Sequence, residues 1–267
     1  MDIKWTQRET WLHRVNPSLK LIAAVAIFLI VLMQNNVNVL LYGAIAPLLL
    51  YLFGTGQSWR RLTLFSIPTL ILVVSSMSSM MFYGLGDTTW FHWGLIRISE
   101  ESFYRGLHIG MKSLHFALIG MIFGLTTRPV SLFYSLMQQL RLPARYAYSF
   151  MAALRLLPMM AEEFQTLRHA LIVRGVPPRS SWRAPFATLK AYAVPMLAQA
   201  IRRAQRIAVA MEAKRFASAA QRTYYYKLGF SVADLGFILY WLVLGWAVFR
   251  LGWQAPLLSI TDVRYEG

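Results

Sequence analysis

Two places in this 267-residue chain put a cation at the predicted end of a helix. One is Arg174-Gly175, followed by Pro177-Pro178; the other is Lys214-Arg215, just after Glu212. A guanidinium fork holds a carboxylate through two parallel hydrogen bonds, so an arginine at a helix tip can lodge in an acidic groove of a partner. A cation near a helix C-terminus also offsets the macrodipole by roughly 0.3–1 kcal/mol, which makes a purely local cap the simpler alternative. The repetition of the arrangement favours docking. Both places lie in a strongly basic window: Arg128 to Lys227 holds sixteen Lys/Arg against Glu162, Glu163 and Glu212, so +13 of the chain's +16 sits there.

The spacing in that window predicts two amphipathic helices. Leu157, Met160, Phe164, Leu167 and Leu171 recur at helical intervals, with Arg155, Glu162, Glu163 and Arg168 off the stripe. Gly175 and the prolines end this helix. The second shows Val194, Leu197, Ile201, Ala204, Ala208 and Met211 on one face, with Arg202, Arg203 and Arg206 outward. A basic, Pro-rich elbow over 177–185 separates them. Glu162 and Glu163 are poor partners for acid–base work, since adjacent helical residues point about 100° apart. Pairing with Arg155 or a neighbouring arginine is expected instead.

The rest of the chain is built for lipid. It is 57% hydrophobic and only 14% charged, too apolar for a soluble domain, where about a quarter of residues carry charge. No charge interrupts Leu21 to Trp59, which divides at Gln34-Asn35-Asn36 into a helical hairpin. Leu62 to Gly86 is a third span, and its serines at 75, 76, 78 and 79 are expected to face protein. A loop from Asp87 to Glu101 carries Trp90, Phe91 and Trp93 as interfacial anchors. A fourth span covers about 103–126 and a last one begins at Leu228. Lys and Arg concentrate at Arg60-Arg61 and in the 128–227 window, which places both in the cytoplasm and the acidic loop outside. The charge thus reports orientation in a bilayer, and no nucleic-acid partner is expected. The N-terminus reads as a retained span, not a cleaved leader.

Other chemistry is thinly represented. The chain has no cysteine, which excludes thiolate metal sites and disulfides. His108 and His115 share a helical face with Lys112 between them, an arrangement that suits polar packing better than a metal. Tyr224-Tyr225-Tyr226 reads as an interfacial belt. No Gly-x-x-x-x-Gly-Lys-Ser/Thr loop is present to hold ATP.

Several short motifs resemble one family, the transmembrane (T) component of energy-coupling-factor transporters. Leu12-His13-Arg14-Val15-Asn16-Pro17-Ser18-Leu19-Lys20-Leu21 is similar to its N-terminal segment, and Thr126-Thr127-Arg128-Pro129 to the end of its fourth span. Leu142-Pro143, Arg155-Leu156-Leu157-Pro158, Glu162-Glu163 and Val173-Arg174-Gly175 resemble its first coupling helix, which ends in Ala-Arg-Gly. Ala210-Met211-Glu212-Ala213 matches the start of the second motif, Ala-Met-Glu-Ala-Arg-Gly. Here Lys214-Arg215 replaces Arg-Gly: Lys214 keeps the strict register and stays a candidate, but Arg215 is the expected docking cation, because its fork holds a carboxylate better than an ammonium does.

The spans and the charge pattern predict an all-α polytopic membrane protein of about five transmembrane helices, N-terminus inside and C-terminus outside, plus a cytoplasmic module of long amphipathic helices, which the resemblance makes coupling helices. The divisions are 1–127 for four spans, 128–227 for the module, 228–250 for the final span and 251–267 for a tail. The resemblance implies docking to ATPases through Arg174, Gly175, Glu212, Lys214 and Arg215, with Arg155, Pro158, Glu162, Glu163, Arg202 and Arg206 shaping the module. It implies two ATP-binding-cassette subunits, which would bind ATP and Mg, and a small membrane-embedded substrate-binding subunit for a vitamin or metal ion. This chain would hold no cofactor and perform no catalysis. Two other readings of the residues are an integral membrane transferase acting on a phosphate-bearing lipid, disfavoured by the scarcity of acids, and a stand-alone permease, disfavoured by the absence of ionisable residues in the first three spans.

Overall fold

The computed structural model describes residues 8–83, 89–93, 96–175, 184–216, 224 and 226–258, with side chains omitted over 89–97 and 184–188. The described residues are helical apart from turns and one hairpin. They fall into two compact units, Met1–Ser135 with Leu228–Gly267, and Leu136–Lys227.

In the first unit, helix starts follow side-chain chemistry. A short α1 (Trp11–Arg14) precedes α2 (Pro17–Met33). The Asn16 carboxamide accepts the Ser18 N–H at 3.1 Å, and Pro17 occupies the first helical position, where no N–H is needed. The Gln34–Asn36 break is a true turn: Asn36 caps α3 (Val37–Gly43) by accepting the N–H groups of Asn38 and Val39. Beyond it lie α4 (Ile45–Leu49) and a π-helical turn (Leu50–Gly54). Next come α5 (Trp59–Tyr83), an antiparallel pair β1 (Thr89–Trp93) and β2 (Ile96–Ser99), and α6 (Glu100–Thr126). Ser99 caps α6 by accepting the Ser102 N–H, and Glu100 and Glu101 favour its first turn. The helix α7 (Pro129–Gln139) leads from the first unit into the second. The second unit continues with α8 (Ala144–Val173) and α9 (Ala184–Ala213), and α10 (Val232–Gln254) returns the chain to the first.

Among the described residues four helical stretches are long and apolar enough to cross a membrane: Val37–Gly54, α5, α6 and α10. The expected first span, α2, has 17 residues, roughly 25 Å against a hydrocarbon core of about 30 Å. The expected 87–101 loop contains a hairpin, because Thr89–Trp93 and Ile96–Ser99 pair across a short connection. Of the serines in α5, Ser76 meets Ser113 of α6 at 2.8 Å. Ser75 and Ser79 are exposed instead of facing protein, and the Ser78 hydroxyl donates to the Ser75 carbonyl. A hydroxyl can satisfy itself on its own helix and then needs no neighbour.

The α5–α6 contact is the most extensive in the chain, and close approach at Gly106 permits it: a Cβ there would lie 2.9 Å from the Met77 carbonyl oxygen. Leu12, Val15, Leu50, Tyr51, Leu118, Ile122 and Phe237 form the adjoining core.

A buried polar node joins distant parts of this unit. Asp234 accepts the Asn16 N–H with one carboxylate oxygen and the Ser231 N–H with the other, both at 2.6 Å. The Asn16 side-chain carboxamide oxygen accepts the Ser135 hydroxyl at 2.6 Å and the Ser18 hydroxyl at 3.0 Å. One turn along α2, Lys20 donates its ammonium to the Thr126 carbonyl at 3.0 Å. Asn16, Ser18, Lys20, Thr126, Ser135 and Asp234 are all buried. The node therefore ties the starts of α2 and α10 to the end of α6 and to α7.

Replacing Asp234 with Ala strands two buried N–H donors, at about 1–3 kcal/mol each. We expect Asp234→Ala to lower the melting temperature of the detergent-solubilised protein by on the order of 10 °C, and Asp234→Asn, which keeps an acceptor, by about half as much. An unchanged melting temperature in Asp234→Ala would show that the node holds nothing together.

His13 supplies a pH dependence. Its Nδ1 accepts the Thr10 N–H at 3.2 Å, and burial, followed by the charge of Lys20, holds its pKa below the ordinary 6.5, with Glu9 opposing and Arg128 reinforcing. A folded-state pKa below the unfolded one gives stability that is complete above about pH 6.5 and is lost as pH falls below it. Thermal melts between about pH 7.5 and 5.5 should show that loss, and His13→Gln should flatten the slope. A His13→Gln profile parallel to the parent would contradict it.

Candidate docking surface

The second unit is organised around α8 and α9, each 30 residues long and so roughly 45 Å. They meet near their middles: Glu163 of α8 forms an ion pair with Arg203 of α9, and Phe164 packs on Tyr192 with ring centroids 5.1 Å apart. Glu163 and Arg203 are each about three-quarters buried. Of the expected partners, Arg155 or a neighbouring arginine, Glu163 takes Arg203 from the other helix and not Arg155, and the pair corrects the expectation that Arg203 points outward.

The faces also sort differently from the expected stripe. On α9 the half-buried side chains include Tyr192, Met196, Ala200, Arg203, Ile207 and Met211, which recur at four-four-three-four-four spacing, with Ala193 and Ala198 half-buried beside them. The apolar stripe at Val194, Leu197 and Ile201 is left 56–59% exposed. On α8 Met160, Leu167 and Leu171 are half-buried while Leu157 is exposed. Periodicity identifies an apolar face but not what covers it. Pro158 lies within α8, exposed, and denies the Leu154 carbonyl its helical donor. Arg155, Glu162, Arg202 and Arg206 are exposed on these two helices.

The two helix ends share one backbone design. At the end of α8 the Arg174 N–H donates to the Ala170 carbonyl at 3.1 Å and the Gly175 N–H to Ile172 at 3.0 Å, with Gly175 left-handed at φ +65°. At the end of α9 the Lys214 N–H donates to Ala210 at 3.2 Å and the Arg215 N–H to Glu212 at 2.8 Å, with Arg215 left-handed at φ +50°. The Phe216 N–H closes the motif on Met211 at 2.9 Å. Lys214 thus occupies the backbone position of Arg174, and Arg215 that of Gly175. Glycine takes the left-handed conformation without strain, whereas a residue with a Cβ pays about 1–2 kcal/mol. Arg174, Gly175, Glu212, Lys214 and Arg215 are all exposed. The expected elbow between the helices falls largely on 176–183, outside the described residues, and Pro185 belongs to the first turn of α9.

Sequence reading missed two side chains that hold this geometry. Arg203 could have been found from its place in the half-buried spacing. Phe216 stacks edge-on against Tyr148 of α8 at 5.2 Å, and its signal was an apolar residue three places beyond the last residue of α9. The histidines are occupied by backbone: His108 Nε2 lies 3.0 Å from the Gln34 carbonyl, beside Lys112, which donates to Leu32 at 2.8 Å, so both cap the end of α2. His115 Nδ1 faces the Met111 carbonyl at 2.8 Å. Among the described residues no three His, Cys, Asp or Glu side chains converge. Of the tyrosine belt, Tyr225 lies outside the described residues, and the Tyr226 carbonyl accepts from Gln138 at 2.6 Å. In the first unit an apolar groove of about 410 Å³ is lined by Ile27, Leu40, Gly43, Trp241 and Val248 among others.

Comparison with known proteins supplies the family. The model of the CbiQ family, described as cobalt transport protein, matches residues 8–225. The chain is 27% identical over 252 residues to the energy-coupling factor transporter transmembrane protein EcfT of Brevibacillus brevis, covering 89% of this chain and 94% of that one. It is 26% identical over 279 residues to EcfT of Bacillus subtilis, covering 93% and 96%. Against EcfT of Macrococcus caseolyticus it is 24% identical over 236 residues, covering 85% and 88%. The match spans both units, from the α1 cap to the second helix end, and the chain belongs to the CbiQ family, as a membrane component of energy-coupling-factor transporters.

Proposed function

We propose that this chain is the coupling subunit of an energy-coupling-factor importer in a prokaryotic cell membrane, linking two ATP-binding-cassette ATPases to a membrane-embedded substrate-binding subunit. The observation that carries the reading is the pair of matched helix ends, Arg174-Gly175 and Lys214-Arg215, each with a cation at the cap and a left-handed residue next. Two copies of one backbone device suit two related partners. Each cation is fixed by its helix and exposed, as docking into an acidic groove requires.

The other parts take roles consistent with this. The second unit is the cytoplasmic coupling module, by its charge. The exposed apolar residues of α8 and α9, Leu157, Val194, Leu197 and Ile201, supply a surface for a partner of membrane character. The Glu163–Arg203 pair holds the two helices together where they meet, so that a push on either end moves both. ATP and Mg belong to the ATPases, and this chain performs no chemistry. The cargo is a vitamin or a metal ion selected by the substrate-binding subunit.

The test is capture of the ATPase subunits of the source organism by the tagged, detergent-solubilised chain. Arg174→Ala and Lys214→Ala should each weaken capture about tenfold, the loss of an interfacial charge pair, and the double variant should abolish it while melting like the parent. Parental capture by the double variant would reduce these cations to helix caps.

A further inference from the structure

A polar cavity lies in the first unit where α6 ends and α7 begins. It holds about 130 Å³ and is lined by Glu9, His13, Arg14, Lys20, Arg128 and Ser131 among others. That is several times the share of about 30 Å³ that one water takes in the liquid, and it gives room for a phosphate group.

The lining has the chemistry of an anion site. Lys20 is 4% exposed, and its ammonium donates to the Thr126 carbonyl at 3.0 Å, with the Thr126 hydroxyl at 3.4 Å. Both are neutral groups. The Asp234 carboxylate attracts Lys20 from further off while its two oxygens accept backbone N–H groups. A buried charge is costly unless it is paired, and an anion in the cavity would complete the pairing. Arg128 already holds an oxyanion, the Glu9 carboxylate, in an exposed ion pair at 2.6 Å. Arg14 adds an exposed guanidinium. Ser131 stands in the first turn of the 11-residue α7, where helical N–H groups lack intrahelical acceptors and the dipole favours negative charge. Three cations thus face one carboxylate, with half-buried His13 beside them.

The position supplies the ligand class. The α6 helix is long and apolar enough to cross a membrane and ends at Thr126, so the cavity opens near the depth of the lipid headgroups. Basic pockets between membrane helices at that depth hold anionic headgroups.

We propose that this cavity binds a phosphate-bearing anion, held by Arg14, Lys20 and Arg128, with Glu9 as the carboxylate that competes for Arg128. An anionic lipid headgroup and free inorganic phosphate present the same chemistry. The site does not depend on the role given to α8 and α9.

Phosphatidylglycerol and inorganic phosphate are titrated separately into the detergent-solubilised chain, with binding read by calorimetry and melting temperatures measured for every variant. Saturable binding of phosphatidylglycerol is expected. Arg14→Gln should weaken it about fivefold, Glu9→Gln should tighten it by a similar factor, and Arg60→Gln, which removes an exposed cation outside the cavity, should leave it unchanged. The same variant pattern for inorganic phosphate, with no saturable lipid binding, would support the site and assign it to the free anion. If neither probe binds saturably, or if Arg14→Gln and Glu9→Gln bind like the parent while melting like it, the proposal is overturned. Equal weakening by Arg60→Gln and Arg14→Gln would reduce the effect to diffuse surface charge and overturn it too.

Discussion

The first unit depends on one buried carboxylate. Asp234 joins the start of α10 to the start of α2 across 218 residues of sequence, accepting the Asn16 N–H at 2.6 Å while it caps its own helix through Ser231. Asn16 passes the connection to Ser135 in α7, and Lys20, one turn on, closes the end of α6 through Thr126. Apolar spans in lipid have little reason to choose one neighbour over another, since lipid tails are as apolar as leucine. Buried hydrogen bonds with fixed donors and acceptors supply that choice. Ser135 brings α7 into the same node, so this helix too is held within the first unit.

In the second unit, specificity is carried by backbone conformation at the helix ends. A helix C-terminus leaves carbonyls without donors, and a left-handed residue turns the chain back to satisfy them. Both α8 and α9 solve the problem in this way, with a cation at the cap each time. The caps fix where each exposed cation leaves its helix, and at the α9 end Phe216 packed on Tyr148 supports the turn. The Glu163–Arg203 pair works in the opposite sense: it is mostly buried, gains from its two-sided geometry, and would be costly to break from one side only.

Much of this was legible in the chain itself, for reasons that differ by element. The helical hairpin at Gln34–Asn36 was readable because asparagine both breaks an apolar run and caps the next helix. The ends of α8 and α9 were readable because Gly175 and the Lys214-Arg215 pair follow apolar periodicity that stops. Asp234 could not be read as the partner of Asn16, since nothing in local spacing reports a contact 218 residues away. Arg203 was misplaced because charge was equated with exposure, whereas a paired arginine can fill an inward position. The 89–99 hairpin was missed because strands of five and four residues are too short for alternation to show. The apolar stripe of α9 was legible as a periodic pattern, but periodicity does not say what covers a face, and Val194, Leu197 and Ile201 are exposed.

Placement of the helix ends on the ATPases is tested most directly by proximity. The chain has no cysteine, so single cysteines introduced as Val173→Cys and Ala213→Cys, each beside a cap cation and exposed, can be joined to a neighbour with a short bifunctional cross-linker in native membranes. Both positions are expected to give covalent adducts with ATP-binding-cassette subunits, with yields that change when ATP is added. Adducts confined to lipid or to the chain itself at both positions, in membranes where the ATPases are present and active, would contradict the docking of these ends.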